Sequence, residues 1–286
     1  MIIDDHWFTE YCEEAGSAHS FRIKAKLHEE QTRYQKIEIY ETTHFGKLMV
    51  IDGFIMLSAR DNFIYHEMLA HPILYIHDAP RRVAIVGGGD CGTLNEVLKH
   101  PEVEQVTLID IDERVVQLSE VHFPELCGRN GDSRAEFCFT DGYRWMAEAP
   151  GESLDIIIVD STDPIGPGEI LFSGEFYSAC EKTLKNGGTL IQQSESPLLH
   201  MDILQGMYRE MKGAGFSHRK SLFFPLSVYP SGWWSATMAR KGEPINGFRE
   251  EDARNRPFRT RYYNVDIHRS SFCAPEFFYR ELGDAG

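Results

Sequence analysis

Four aspartates stand where loop chemistry would need them. Gly87-Gly88-Gly89-Asp90-Cys91-Gly92 fits the G-x-G-x-x-G pattern, directly after an apolar run and before a helical one. Glycines there let the backbone turn sharply and approach a bound ligand closely. Asp110 closes the next apolar run, eighteen residues past Gly92, where a carboxylate can accept hydrogen bonds from ribose hydroxyls. This pairing fits a nicotinamide dinucleotide and the adenosine part of an S-adenosyl compound equally well. Asp90 weighs between them, because a carboxylate beside a pyrophosphate is costly, whereas one beside a sulfonium or an ammonium is favourable. A second acidic loop, DSTDPIGPGE over 160–169, follows the apolar run 154–159. Asp160 and Asp163 in that Pro/Gly loop can bind a metal, serve as acid and base, or hold cations. Magnesium usually arrives with a phosphate substrate, and nothing here resembles a phosphate cradle.

The elements that must position these loops are legible from periodicity. From 20 to 58 the pattern alternates in period two, with an Asp52-Gly53 turn, and predicts a small antiparallel sheet with one wet face. A helical stripe follows over 62–76, and Pro72 inside it predicts a kink or an early end. From Arg82 the chain reads strand–helix–strand. Apolar runs at 83–89, 106–109, 137–139, 155–159 and 189–191 are separated by helix-length crossovers, as buried parallel strands require. The expected fold is α/β, a doubly wound, Rossmann-like (methyltransferase-type), mostly parallel sheet over about 82–240 with a small N-terminal antiparallel β-domain. The expected division is 1–60 and 61–286. The stretch after Lys241 has no assignable pattern.

Composition narrows the function. The chain has 286 residues, 29 Lys+Arg and 44 Asp+Glu, for a net charge of −15. That balance opposes nucleic acid as a partner and suits small cations. No apolar run approaches the roughly 20 residues needed to span a bilayer. The N-terminus is acidic where a signal peptide would be basic, which predicts a cytoplasmic protein. Six cysteines without C-x-x-C spacing fit a reduced compartment, and no histidine pairing suggests a metal centre.

Together the motifs resemble the polyamine aminopropyltransferases, the spermidine synthase family. The resemblance rests on GGGD at 87–90, C-G-x-L-x-E at 91–96, IDID at 109–112, DG at 141–142 and DSTDPIGPGEILF at 160–172. It extends to YQ at 34–35, DG at 52–53, FIYHEM at 63–68, QSESP at 193–197, YPSG at 229–232 and YYN at 262–264. It implies a homodimer without metal or cofactor that moves an aminopropyl group from decarboxylated S-adenosylmethionine to putrescine, giving spermidine and 5′-methylthioadenosine. By motif position it implies Asp160 as proton acceptor. His66, Asp90 and Asp163 would contact the amines, with Tyr65, Gln193 and Tyr229 lining the channel. Gln35, Asp110, Asp141, Gly142 and Pro167, with Gly87 and Gly89 of the glycine turn, would hold the methylthioadenosine portion. Asp110 departs from the family's usual Glu, a shortening by one methylene.

The chemistry is consistent with this. Displacement at a carbon beside a sulfonium needs an uncharged amine. An alkylamine of pKa about 10.4 is neutral in only about one molecule in 2,500 at pH 7, a cost of roughly 4.6 kcal/mol. A positioned carboxylate can take the proton, an effect worth about 10²–10⁴-fold. Nearby carboxylates also stabilise the ammonium, so Asp163 is expected to grip the far amine while Asp160 serves the attacking one. Alternatives are a putrescine N-methyltransferase, an aminopropyltransferase for cadaverine, agmatine or spermidine, an NAD-dependent oxidoreductase, and a non-catalytic polyamine-binding protein. Trp233 and Trp234 are either core or a wall of the ligand pocket.

Overall fold

The computed structural model describes residues 6–13, 15–164 and 166–283, without the side chain of Pro167. Five strands, β1 (Trp7–Cys12), β2 (Ser17–Gln31), β3 (Lys36–Thr42), β4 (Lys47–Ile51) and β5 (Phe54–Ser58), form an antiparallel sheet in sequence order. The β4–β5 turn is the expected two-residue hairpin, with Asp52 and Gly53 both at positive φ (51° and 91°). One expectation fails here. The middle of this sheet is not wet on one face: Ile37, Ile39 and Met49 pack on Val115, Leu118 and Phe123, while Tyr40, Leu48 and Val50 join the main core. The sheet is therefore clamped between two apolar layers, and even Glu38 is buried, held by Lys26 and by Tyr40.

Helix α1 (Asn62–Ile76) follows and is buried along most of its length. It does not end early at Pro72 but runs on to Ile76. Met68, Leu69, Ile73 and Leu74, all fully buried, hold the turns on both sides of the proline against the sheet. Glu67 on this helix accepts backbone N–H bonds from Arg261, Tyr262 and Tyr263 at 2.7–2.8 Å. The C-terminal stretch is thereby tied to α1.

The second sheet comprises β6 (Arg82–Gly87), β7 (Gln105–Asp110), β8 (Ala135–Phe139), β9 (Leu154–Asp160), β10 (Leu184–Gln193), β11 (His218–Pro225) and β12 (Trp233–Arg240). Their spatial order is β11-β12-β10-β9-β6-β7-β8. The first five are parallel, and β12 runs antiparallel to both β10 and β11. Their crossovers carry α2 (Gly92–Val97), α3 (Glu113–His122), α4 (Gly142–Glu148) and α5 (Gly174–Thr183), while α6 (Met201–Gly213) leads from β10 to β11. Helices α7 (Glu250–Arg254), α8 (Val265–Ser271) and α9 (Glu276–Leu282) fill the stretch that had no legible pattern. The chain leaves β6 toward β7 and β8, then returns to place β9 on the other side of β6. Open parallel sheets bind ligands at such a reversal, beyond the carboxyl ends of the strands. The Gly87 turn and Asp160 occupy those ends, and Gly87 pairs with Asp160 across the two strands.

Candidate active site

The acidic loop tips converge on one cleft. A cavity of ≈ 190 Å³ is lined by Gln35, Tyr65, the Gly87–Asp90 turn, Asp110, Asp141, Gly142, Asp160, Asp163 and Tyr229. A smaller offshoot of ≈ 30 Å³ shares Tyr65, Asp163 and Tyr229 and adds Gln193, Glu10 and Trp234. Of the residues singled out from sequence, His66 lines neither space. Its imidazole stands behind Asp90, 2 % exposed. Pro167's side chain lies outside the described residues.

Close approach of β6 to β9 dictates the glycine turn. Gly87 has φ +81°, and a Cβ there would stand 2.2 Å from the carbonyl oxygen of Asp160. Only glycine lets the two strand ends meet this way. The N–H of Gly88 donates to that same carbonyl at 2.8 Å. Asp160 is thus locked by backbone pairing before its side chain makes any contact.

Both carboxylate oxygens of Asp160 are engaged. The Tyr65 hydroxyl donates to Oδ1 at 2.7 Å and the Thr93 hydroxyl to Oδ2 at 2.6 Å. Burial and the nearby charge of Asp90 push the Asp160 carboxyl up to about 6, against the opposing pull of His66, Thr93 and Tyr65. Burial drives the Tyr65 phenol well above its ordinary value, so it stays a neutral donor. Thr93 was not foreseen from sequence. Its signal was present, since it is the first hydroxyl on the helix that follows the glycine turn.

Asp90 is set differently. Its Oδ1 accepts from the Gly92 N–H at 2.7 Å, and its Oδ2 lies 3.0 Å from His66 Nε2. Burial would favour the protonated acid, but the imidazolium and these hydrogen bonds outweigh it and hold Asp90 below the usual carboxylate range. His66 correspondingly rises above its ordinary value, because Asp90 overcomes the desolvation that disfavours its charge. The result is a buried ion pair beside a more weakly acidic carboxyl. Neighbouring carboxyl groups with pKa values pushed apart mark acid–base assignments.

The other end of the cleft sets polar groups among apolar side chains. Asp110 Oδ1 accepts from the Asp112 N–H at 2.8 Å. Burial raises Asp110 to about 6, with that N–H bond pulling the other way. Asp141 caps α4, accepting from the Arg144 N–H at 2.8 Å. Gln35 donates to Asp112 Oδ2 at 3.2 Å, so the small sheet reaches across and completes the wall. Ile109, Ile111, Val115 and Leu171 supply apolar lining between these polar points.

Glu10 in the offshoot had no assigned role from sequence, while Trp234 was expected to be either core or a pocket wall. Glu10 Oε2 accepts from the Ile55 N–H at 2.7 Å. Burial pushes its carboxyl up to about 7, with that bond opposing and Asp163 adding. Burial, together with Glu195, raises Asp163 well above its ordinary value. Trp234 walls the offshoot with its ring 4.5 Å from that of Tyr229, whereas Trp233 packs on Phe223 and Phe277 as core. Among the described residues no group of three or more His, Cys, Asp or Glu is placed to hold a metal, and no helix is long and apolar enough to cross a membrane.

With this geometry in hand, comparisons with known proteins are specific. Residues 62–248 match the family profile described as the spermine/spermidine synthase domain, and 6–59 match the spermidine synthase tetramerisation domain. A polyamine aminopropyltransferase of Methylococcus capsulatus is 59% identical over 279 residues, covering 98% of this chain and 96% of that one. One from Nitrosococcus oceani is 60% identical over 271 residues, 95% of each chain. Among solved structures, a spermidine synthase in complex with the transition-state analogue AdoDATO superposes with a TM-score of 0.93 at 34% identity, covering 98% and 96% of the two chains. The spermidine synthase of Thermotoga maritima gives 0.91, also at 34% identity, over 98% and 95%.

Proposed function

The chain belongs to the spermine/spermidine synthase family, and from that premise we propose that this aminopropyltransferase uses decarboxylated S-adenosylmethionine as donor and putrescine as acceptor. The observation that carries the reading is Asp160. It lines the main cleft and is fixed through both oxygens by Tyr65 and Thr93, and Tyr65 in turn lines both that cleft and the acid-lined offshoot.

In this reading the adenosine lies along Asp110, Gln35, Asp141 and Gly142, with its sulfonium near Asp90. Putrescine lies past Tyr65 and Tyr229, its far ammonium among Asp163, Gln193 and Glu10. The amine nitrogen attacks the methylene next to sulfur. The N–C bond forms, the C–S bond breaks, and sulfur leaves as the neutral thioether of 5′-methylthioadenosine. The proton lost by nitrogen passes to Asp160. Raising that carboxyl from 3.8 to about 6 narrows its mismatch with an alkylammonium by about 3 kcal/mol, at 1.36 kcal/mol per unit. Asp160 still remains ionised at neutral pH. Asp90 is kept anionic by His66 and supplies charge without competing for the proton. No metal or cofactor enters this scheme.

We also read the protein as a cytoplasmic homo-oligomer. The match of 6–59 to a tetramerisation profile supports assembly, and a homodimer is the proposed smallest unit. The decisive experiment supplies putrescine with either decarboxylated S-adenosylmethionine or S-adenosylmethionine and reads the product by mass spectrometry. Spermidine with methylthioadenosine is expected from the former. N-methylputrescine from the latter, or no product with either, overturns the reading. Rates with cadaverine, agmatine and spermidine test the acceptor.

A further inference from the structure

Carboxyl groups crowd the offshoot and the wall behind it. Asp163, Gln193, Glu10 and Trp234 line it. Behind Asp163 lies Glu195, 1 % exposed, with its side chain in hydrogen-bond contact with the aspartate. Two ionised carboxylates have no hydrogen to share, so such a contact requires a proton on one of them. Glu195 is held rigidly for this role. Its Oε1 accepts from Gln193 Nε2 and its N–H donates to Gln193 Oε1, both at 3.1 Å. Its Oε2 lies 3.2 Å from His200 Nδ1. Its φ of +63° places a non-glycine residue in the left-handed region, a strain tolerated when surroundings over-determine the conformation. A separate feature points to a polar guest. The indole N–H of Trp234, a residue 4 % exposed on the wall of the same chamber, has no hydrogen-bond partner among the described residues.

We propose that Asp163 and Glu195 share one proton while the chamber is empty and release it to solvent when the far ammonium of a diamine enters. This deepens the acceptor assignment above and rests on it. The incoming cation supplies the positive charge that the shared proton supplied before, so both carboxylates ionise around it. A monoamine brings no charge to that end and leaves the proton in place. Glu195 is therefore a positioning residue that makes Asp163 selective for acceptors charged at both ends.

Other titrating groups face the pair. Glu10 comes from β1, His200 precedes α6, and Asp160, the Asp90–His66 pair, Tyr65 and Tyr229 lie toward the cleft. Burial first of all pushes Glu10 to about 7 and Asp160 to about 6, so these groups also contribute protons. The share of the pair is isolated by difference. In Glu195→Gln an amide N–H donates to Asp163, which then ionises without a shared proton.

The test is calorimetric titration of putrescine into the full chain saturated with 5′-methylthioadenosine, near pH 6.5, in two buffers of different protonation heat. Wild type is expected to release about one proton more per putrescine than Glu195→Gln, and about one more than it releases with n-butylamine. Its putrescine affinity should also climb more steeply with pH than the variant's, by about tenfold per unit. A merely structural role for Glu195 would change affinity without changing the proton count. Equal proton counts for the two proteins overturn the shared proton while leaving the acceptor assignment intact. Absence of putrescine binding overturns the acceptor assignment and the shared proton with it. Should Glu195→Gln not fold, the difference between putrescine and n-butylamine on the wild type gives the count, and equal proton release with the two amines overturns the proposal.

Discussion

Gly92 and His66 are packed so closely that a Cβ on the glycine would lie 2.2 Å from the imidazole Cε1. The contact seats the Nδ1–Cε1–Nε2 side of the ring against the start of α2, with Nε2 3.0 Å from Asp90 Oδ2. Gly92→Ala must push the ring away, and overpacking of this kind costs about 1–3 kcal/mol. The expected result is a lower melting temperature together with a rise in putrescine KM, read by thermal unfolding and steady-state kinetics. An unchanged melting temperature would show that the ring yields freely.

Asp160→Asn removes the proposed proton acceptor while keeping its shape: the amide oxygen accepts from one of the Tyr65 and Thr93 hydroxyls and the amide N–H donates to the other. Turnover should fall by at least a hundredfold, within the range expected for losing a general base. Stability should hold or increase, because one of two mutually repelling carboxylates is gone. Single-turnover assays beside thermal unfolding separate the two effects.

Tyr65→Phe tests the same group through pH. Asp160 sits near 6, so activity should be lost as pH falls through that value. The Tyr65 hydroxyl favours the ionised form. Hydrogen bonds to charged groups are worth about 1.5–3 kcal/mol, so removing this one should move the acid limb of kcat/KM upward by roughly one pH unit. A limb that stays in place would assign it to another group.

Much of this site was legible before any coordinates, for reasons tied to particular residues. The Gly87 turn and Asp160 announce themselves because apolar strands end at charged or glycine residues, and parallel sheets put ligands at those ends. Glu10 was silent, and Glu195 lay within the QSESP motif with no role attached. Glu10 lies on a strand whose sequence, WFTEYC, does not alternate clearly, and its role arises only when the small sheet folds over the large one. Glu195 acts through a contact with a residue thirty-two positions away, and no local pattern encodes that. Similarly, nothing in the period-two alternation of 37–40 revealed that α3 would cover the second face of the small sheet.

Asp110→Asn should weaken the donor selectively. Its charged acceptor becomes a neutral amide that still takes the Asp112 N–H. The loss of a charge-assisted bond to ribose predicts at least a tenfold rise in KM for decarboxylated S-adenosylmethionine, with putrescine KM unmoved. Calorimetry with 5′-methylthioadenosine checks it without turnover.

Away from the site, His71 predicts an acid-dependent stability. It is fully buried, 2.9 Å from His100 Nε2, with Glu96, Glu67, Phe258 and Tyr263 around it. Burial first of all, and His100 as well, press its imidazole down to about 4 from 6.5. Between these values the unfolded chain binds a proton that the folded chain refuses, so this contribution is present above 6.5 and is lost as pH falls toward 4. The stability gap between wild type and His71→Gln should therefore narrow over that window in urea titrations.

The three N–H bonds that residues 261–263 give to Glu67 fasten a remote stretch of chain to the helix that carries Tyr65 and His66. Take those three donors away and a carboxylate one residue from His66, itself 1 % exposed, loses the partners that offset its burial. Segments that touch no ligand can therefore govern how firmly the cleft is framed.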